Sequence, residues 1–325
     1  MKTRPAGAEG TLPVQPAHQL PVRPEAQRWL VTDLWSQEAV GLIGGEPKCC
    51  KSFLALELAV AVASGTPCLR YFPVPHPGRV LLFAAEDALH VVRQRLDGIC
   101  AAAAVRLGAL DVHVITAPTV RLDLAPDRVR LERTVDELKP RLLVLDPFVR
   151  LHRIDENASG EVAPLLAYLR ELQRRYALAV LLVHHAKKGG GKIRAGQALR
   201  GSSEFHAWGD SNLYLRRSGN ELTLTVEHRA ARSRPPFALE LAQRGEALAL
   251  EVRSAVTASE APAPASVDER IVNALSGRDH PVPVAELRTL CPVRKATLYA
   301  RLFELTRAGR LLRSSGGYRL ASTAE

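Results

Sequence analysis

Short apolar runs alternate with helical stretches over residues 28–253. The runs AVGLI, VLLF, LLVL and LAVLLV are typical of buried strands, and the apolar segment FLALELAVAVA after Ser52 predicts a helix that Gly65 and Pro67 end. Strands that alternate with helices favour a parallel sheet. The pattern therefore predicts an α/β domain with a mainly parallel sheet.

Three further segments flank this domain. Residues 1–27 are rich in proline without apolar periodicity, which predicts a flexible arm. Residues 254–266, SAVTASEAPAPAS, have the composition of a linker. Residues 267–325 then form a compact tail, so the chain is expected to contain a large and a small domain.

The tail predicts three helices and a hairpin, which is the order of a winged-helix module. Helices are expected at 267–275, after VPV at 282–284, and at 294–307, and LLRSSGGYRLA is typical of two strands around a turn. On the third helix an apolar stripe predicts core. Polar side chains elsewhere on that helix and beside the hairpin are candidates for a DNA groove: Arg294, Lys295, Thr297, Arg301, Arg313 and Arg319. Winged helices also dock proteins, so both interpretations stay open.

The segment AVGLIGGEPKCCKS at 39–52 predicts a phosphate-binding loop. A strand leads into a glycine turn, and Lys51 and Ser52 stand where a lysine meets the β- and γ-phosphates and a hydroxyl binds Mg²⁺. The residues expected to surround the nucleotide are Gly45, Glu46, Pro47, Lys48, Cys49, Cys50, Lys51, Ser52 and Phe53. Cys50 occupies the position of the second glycine, so a degraded loop or a chance glycine turn is the alternative.

Two later strands end in carboxylates. The strand VLLF delivers Glu86 and Asp87, either of which is a candidate to orient or deprotonate an attacking water, the alternative being a helix N-cap. The strand at 141–145 ends in Asp146, which matches the Walker B aspartate that holds Mg²⁺. Because ligands bind at the carboxyl ends of parallel strands, these acids are expected beside the loop.

A fourth strand, LAVLLVHH, ends in His184 and His185. A polar residue at this point can sense the γ-phosphate, although one buried and one exposed histidine without function would give the same pattern. The glycine-rich segment after it is basic and suits a phosphate backbone, the alternative being a solvated hinge. Its candidate DNA contacts are Lys187, Lys188, Lys192 and Arg194.

Composition limits the possible partners. The 325 residues carry a net charge of +10, which favours a polyanion such as nucleic acid, although an arginine-rich solvated surface gives the same balance. No apolar run reaches the length of about 18 residues that a membrane span needs, and an apolar signal region is absent, so a cytoplasmic protein without membrane contact is expected. The five cysteines show no paired metal spacing. Cys49 and Cys50, at a helix start beside Lys51, are expected to have lowered thiol pKa values, the alternative being two inert small residues that fill a tight turn.

These motifs, in this order, resemble the RecA-like ATPases of the RepA branch, which are hexameric replicative helicases, and their AAA_25-type relatives. The resemblance covers residues 29–253 and rests on the loop, VLLFAAED, LLVLDPFVRLHRIDEN, LLVHHAKKGGG and LRGSS. It implies ATP and Mg²⁺ as cofactors, Lys51 and Ser52 at the phosphates, Glu86 as catalytic base, Asp146 as Walker B residue, and His185 or His184 as sensor. It further implies a RecA-like core whose mainly parallel sheet continues into antiparallel strands at its C-terminal end. It also implies a ring, possibly of six subunits, in which an arginine completes the neighbour's site. The candidates for that arginine are Arg200, Arg216 and Arg217.

Two hypotheses for the function follow. In the first, the chain is a DNA-dependent motor, a helicase-type ATPase in replication or mobile-element maintenance that binds single strands in the ring and duplex at the tail. In the second, ATP is a switch that controls assembly and recruitment with little turnover, which the Cys50 substitution motivates. A RecA-like repair ATPase is a close neighbour of the first.

Overall fold

The structure is a computed structural model that describes most of the chain. Its described residues are 14–22, 24–185, 204–232, 234–244, 247–253, 267–276, 278, 280–291 and 295–321. The chain divides into two compact units, Met1–Arg253 and Ser254–Glu325. The predicted linker at 254–266 lies outside the described residues.

The first unit alternates strands with helices along the chain. One-turn 3₁₀ helices occur at Ala17–Gln19, Glu25–Gln27, Leu107–Ala109 and Phe148–Arg150. The strands are β1 (Trp29–Val31), β2 (Trp35–Ser36), β3 (Val40–Gly45), β4 (Val80–Ala84), β5 (Val112–Val114), β6 (Leu142–Asp146), β7 (Ala179–His185), β8 (Ser211–Ser218), β9 (Glu221–His228), β10 (Phe237–Arg244) and β11 (Ala247–Val252). The helices are α1 (Lys51–Ser64), α2 (Leu89–Ala102), α3 (Ala125–Leu138), α4 (Ser159–Tyr176) and α5 (Glu204–Trp208).

A nine-stranded sheet forms the centre of this unit, as counted over the described residues. Its strand order is β11-β10-β9-β8-β3-β7-β6-β4-β5. The strands from β8 through β3 to β5 pair in parallel, whereas β8, β9, β10 and β11 pair as an antiparallel meander. The prediction of a mainly parallel sheet with antiparallel strands at the C-terminal end is confirmed.

Each central strand buries alternate side chains on opposite faces of the sheet. Leu142 and Val144 of β6 belong to a core with α1 and α2, and Leu143 and Leu145 belong to a core with α3 and α4. Strands covered by helices on both faces need apolar residues at every position, which explains the uninterrupted runs in the sequence. The order and direction of β3, β7, β6 and β4 bring their carboxyl ends to one edge.

The second unit has its own small core. Helices α6 (Val267–Leu275), α7 (Val284–Leu290) and α8 (Lys295–Arg307) precede strands β12 (Leu311–Ser314) and β13 (Gly317–Leu320), which pair antiparallel. Val282 bridges to Tyr318 of β13 and so ties the start of α7 to the hairpin. The stripe Leu298, Leu302 and Leu305 of α8 is buried, as predicted.

Among the described residues, no helix combines the length and the apolar character that crossing a membrane would require.

Candidate nucleotide-binding site

The loop between β3 and α1 lies at the carboxyl edge of the parallel strands. Strand β3 ends at Gly45, and α1 begins at Lys51, so residues 46–50 form the turn that the sequence predicts. The first turn of a helix has backbone N–H groups without intrahelical partners, and these attract anions. The loop therefore has the form of a phosphate-binding cradle.

Two loop residues adopt left-handed backbone conformations. Cys50 caps α1 with φ 65° and ψ 25°, and Lys48 has φ 64°. A β-carbon disfavours this region, whereas glycine enters it freely. Cys50 thus keeps the backbone geometry of the glycine that the motif prefers, and the substitution does not remove the turn.

Lys51 is buried at the base of the loop. The residue is only 5% exposed, and its Nζ donates to the carbonyl oxygen of Glu46 at 2.8 Å. Burial lowers the pKa of Lys51, and the nearby Cys49, Asp146 and Glu86 oppose that effect. An ammonium held inside the turn is well placed to meet an anion that enters it.

The thiol of Cys49, beside Lys51, differs from the expectation. Cys49 is buried, and desolvation raises its pKa, although Lys51 and Arg217 act in the opposite direction. The predicted lowering of the Cys49 pKa is wrong, because removal from water outweighs the neighbouring positive charges. Cys49 therefore acts as a small core residue at the start of α1.

Asp146 and Ser52 face each other across the loop and the end of β6. Ser52 hydrogen-bonds the Asp146 carboxylate, whose pKa is raised to about 6 mainly by burial, with Asp87 and Glu86 adding to the rise. A hydroxyl and a carboxylate side by side are hard oxygen ligands of the kind that Mg²⁺ prefers. The two residues predicted to bind magnesium are brought together.

Glu86 and Asp87, just after β4, are each paired with an arginine. Arg150 Nε donates to Glu86 Oε1 at 3.1 Å, and Arg95 donates to Asp87. Arg95 also lies over the ring of Phe53, with its Cζ 5.2 Å from the ring centroid. Neither arginine was predicted from the sequence, because no spacing links them to the loop before the chain folds.

These groups line one cavity of about 310 Å³. Lys48 to Phe53, Glu86, Asp87, Asp146 and His185 contribute to its wall, together with Arg95. Three predicted loop residues, Gly45, Glu46 and Pro47, are not among the residues of the wall, although Glu46 holds Lys51 through its carbonyl. The cavity thus collects basic, acidic and hydroxyl groups from the loop after β3, from the ends of β4, β6 and β7, and from α1 and α2.

The two histidines at the end of β7 lie on opposite faces of the sheet. His185 lines the cavity. His184 is 2% exposed and stacks on Phe205 of α5 with ring centroids 4.2 Å apart. Alternation along a strand makes this separation necessary. Of the two sensor candidates, His185 is the one beside the phosphate-binding loop.

The predicted DNA-binding residues are either outside the described residues or in the second unit, and so is the arginine candidate Arg200. Lys187, Lys188, Lys192, Arg194, Arg200 and Arg294 are outside the described residues, and for Lys295 the structure describes only the backbone, at the start of α8. In the second unit Arg301 donates to Asp268 at 2.7 Å and to Glu304 at 2.6 Å, whereas Arg313 is exposed, with its Cζ 6.0 Å from the Tyr318 ring centroid. Contact between Arg301 and DNA would require the loss of these ion pairs.

The fold and the cavity define a nucleotide-binding α/β protein of the P-loop class with a RecA-like sheet. A family model described as AAA domain, AAA_25, matches residues 8–191, more than half of the chain, and the chain belongs to this family. A solved structure of an ATPase domain matches with a TM-score of 0.50 and 13% identity over 63% of this chain and 82% of that chain. A DnaB-like replicative helicase matches with a TM-score of 0.51 and 13% identity over 66% of this chain. The match spans 57% of the helicase chain. At this identity the likeness concerns the fold.

Proposed function

We propose that the chain binds ATP with Mg²⁺ in the cavity and hydrolyses it. The observation that carries this proposal is the convergence of Lys51, Ser52, Glu86 and Asp146 on one cavity at the carboxyl edge of the sheet. Phosphoryl transfer requires mainly positioning and charge stabilisation, and these groups supply both.

Each residue has a definite task in this proposal. Lys51 and the N–H groups of the first turn of α1 bind the phosphates, and Ser52 with Asp146 would hold Mg²⁺. The metal would neutralise charge on the β- and γ-phosphate oxygens. Glu86 orients or deprotonates the attacking water. His185, on strand β7 beside β3, senses the terminal phosphate.

The test is steady-state ATP hydrolysis by the purified chain, with and without single-stranded DNA, at low and at physiological salt. We expect turnover that Lys51→Ala abolishes. Arg133→Gln, which changes an exposed arginine on α3, is the matched control and should hydrolyse like wild type. The proposal is wrong if wild-type chain with Mg²⁺ neither binds nor hydrolyses ATP.

A second candidate is an ATP switch with little turnover. One observation favours it: the Glu86 carboxylate is already engaged by Arg150 at 3.1 Å. A carboxylate that accepts from a guanidinium is less available to a water molecule. The same assay separates the two candidates, because tight ATP binding with negligible hydrolysis, and assembly that depends on ATP, would support the switch.

We further propose that the chain acts on DNA as an oligomer, in a helicase-type role. The support is the net charge of +10, the helix order and hairpin of the second unit, and the exposed Arg313 and Arg319 on its strands. The similar DnaB-like structure is titled a replicative helicase. A ring of subunits would bind a single strand, and the second unit would bind duplex in the manner of a winged helix.

DNA binding is tested by fluorescence anisotropy over a salt series. Each lost phosphate contact should lower the slope of log affinity against log salt by about 0.9 for duplex. The double variant Arg313→Ala/Arg319→Ala should therefore bind duplex more weakly and less steeply with salt than Arg133→Gln. An unchanged slope would remove these arginines from the proposed interface. Light scattering with and without ATP tests the oligomer.

A further inference from the structure

Arg217 of β8 lies beside the phosphate-binding loop of its own chain. Its Nη2 donates to Cys50 Sγ at 3.4 Å. The cysteine that replaces the expected glycine is therefore in contact with an arginine that is 167 residues away in sequence. This contact links the departure from the loop motif to a cation outside the loop.

The register of the sheet explains why Arg217, and not Arg216, reaches the loop. Strand β8 runs parallel to β3, with Leu215 opposite Gly45, so β8 continues past the point where β3 turns into the loop. Leu213 and Leu215 lie in the same core as Cys49 and α1. Since side chains alternate along a strand, Arg217 lies on that face and Arg216 on the other.

The contact with Cys50 leaves the Arg217 guanidinium able to bind an anion. Two cations of the cavity wall are already engaged by oxygen acceptors, Lys51 by the Glu46 carbonyl and Arg95 by Asp87. A thiol is a weak acceptor, and one contact uses one of five donors on the guanidinium. Cys50 lines the cavity, so the guanidinium is one side chain away from where the phosphates would lie.

We propose that Arg217 binds the polyphosphate of the nucleotide in its own subunit's site. This inference rests on the proposed ATP binding. It contrasts with the expectation that Arg217 completes the site of a neighbouring subunit. A guanidinium matches two phosphate oxygens at once, so it adds a charge-assisted contact that the loop itself lacks at Cys50.

The first test measures the affinity for AMP-PNP and for ADP, each with Mg²⁺, by calorimetry. Arg217→Gln should weaken both by about tenfold or more, the loss expected for one charged hydrogen bond. Arg217→Lys, which keeps the charge, should recover part of that loss, and Arg133→Gln should bind like wild type. Thermal unfolding followed by circular dichroism verifies that each variant is folded.

If Arg217 serves only to maintain the fold, the result is different. Arg217→Gln would then unfold at a lower temperature, and Arg217→Lys would not recover affinity. That pattern would overturn the proposal. So would wild-type affinity in a folded Arg217→Gln variant, while ATP binding by wild type would leave the proposed function intact. If wild-type chain binds no nucleotide, the proposed function fails and this inference fails with it.

The second test distinguishes a site within one chain from a site shared between chains. Lys51→Ala and Arg217→Gln variants are mixed, and AMP-PNP binding is measured. If Arg217 serves its own loop, every site in the mixture carries one defect and binding does not exceed the sum of the separate variants. Binding regained on mixing would mean that Arg217 reaches a neighbour's loop, and it would overturn the proposal.

Discussion

The carbonyl oxygen of Leu215 lies 2.5 Å from the point where a β-carbon on Gly45 would stand. The Cys49 Sγ is 2.6 Å from the same point. Strand β8 therefore packs against the start of the phosphate-binding loop so closely that only a residue without a side chain fits. Gly45 thus allows the close approach of the β8 backbone and of the Cys49 side chain.

We predict that Gly45→Ala destabilises the chain by about 2 kcal/mol or more, because the carbonyl of a paired strand cannot move aside as a flexible side chain can. Nucleotide binding should fall with it, since the loop must shift. Urea unfolding gives the free energy. Gly108→Ala is the control, because a β-carbon at Gly108 meets nothing within 4 Å. Equal stability of the two variants would contradict the close packing.

A second prediction concerns the left-handed conformation of Cys50, with φ 65°. Cys50→Gly should raise the free energy of unfolding by about 0.5 to 1 kcal/mol, since glycine avoids the clash of the β-carbon at some cost in chain entropy. Cys50→Ala keeps a β-carbon and should not gain stability. Urea midpoints of the three proteins provide the measurement. Equal stability of the Gly and Ala variants would mean that the conformation carries no strain.

The sequence was sufficient to predict how Lys51, Ser52, Glu86 and Asp146 meet. Each follows a strand whose apolar run is visible in the sequence, and the carboxyl ends of parallel strands share one edge. The strand order need not be known for this inference. A local pattern and one general rule of sheet geometry were enough.

The cations around the site could not be predicted in the same way. Arg217 reaches the loop because β8 pairs with β3, and Arg150 reaches Glu86 across 64 residues. Such contacts depend on register and on the direction of long side chains, and neither is encoded in a local period. The separation of His184 from His185, by contrast, follows from strand alternation alone.

Glu57 shows the same limit within the core. It lies in the apolar helix α1 at 2% exposure, where its Oε1 accepts from Arg70 at 2.7 Å and from the backbone N–H of Leu250 at 3.0 Å. A buried carboxylate in an apolar run gives no signal of its partners. The hydrogen bond from Leu250 connects α1, the helix behind the loop, to strand β11.

We predict that Glu57→Ala lowers the free energy of unfolding by about 3 kcal/mol, because it removes the buried carboxylate to which Arg70 and the Leu250 N–H donate. Glu57→Gln keeps the acceptor and should lose less. Chemical unfolding of both variants beside wild type tests this. A loss that is equal for the two variants would show that the charge of Glu57 matters more than its hydrogen bonds.

The raised pKa of the Glu57 carboxyl also predicts how the stability of the chain depends on pH. Burial raises the pKa of Glu57 from 4.5 to about 7, so between these values the folded state holds a proton that the unfolded state has released. Stability contributed by this group therefore falls as the pH rises through that window. The difference in stability between wild type and Glu57→Gln should change across it. A constant difference would contradict the raised pKa.

The final prediction concerns Asp146, whose pKa of about 6 lies within the range of an ordinary titration. Only the ionised carboxylate binds Mg²⁺ well, so nucleotide affinity that depends on Mg²⁺ should weaken as the pH falls below about 6, approaching tenfold per pH unit. Because Mg²⁺ stabilises the carboxylate, a higher metal concentration should move the midpoint to lower pH.

Asp146→Asn provides the control for this titration, because the phosphates of the nucleotide also bind protons in this range. The variant should bind Mg²⁺-nucleotide weakly at every pH and should retain only the pH dependence that comes from the nucleotide phosphates. Subtracting its profile from that of wild type isolates the Asp146 carboxyl. If the two profiles run parallel from about pH 5 to about pH 8, Asp146 does not bind the metal, and its hydrogen bond to Ser52 serves the loop alone.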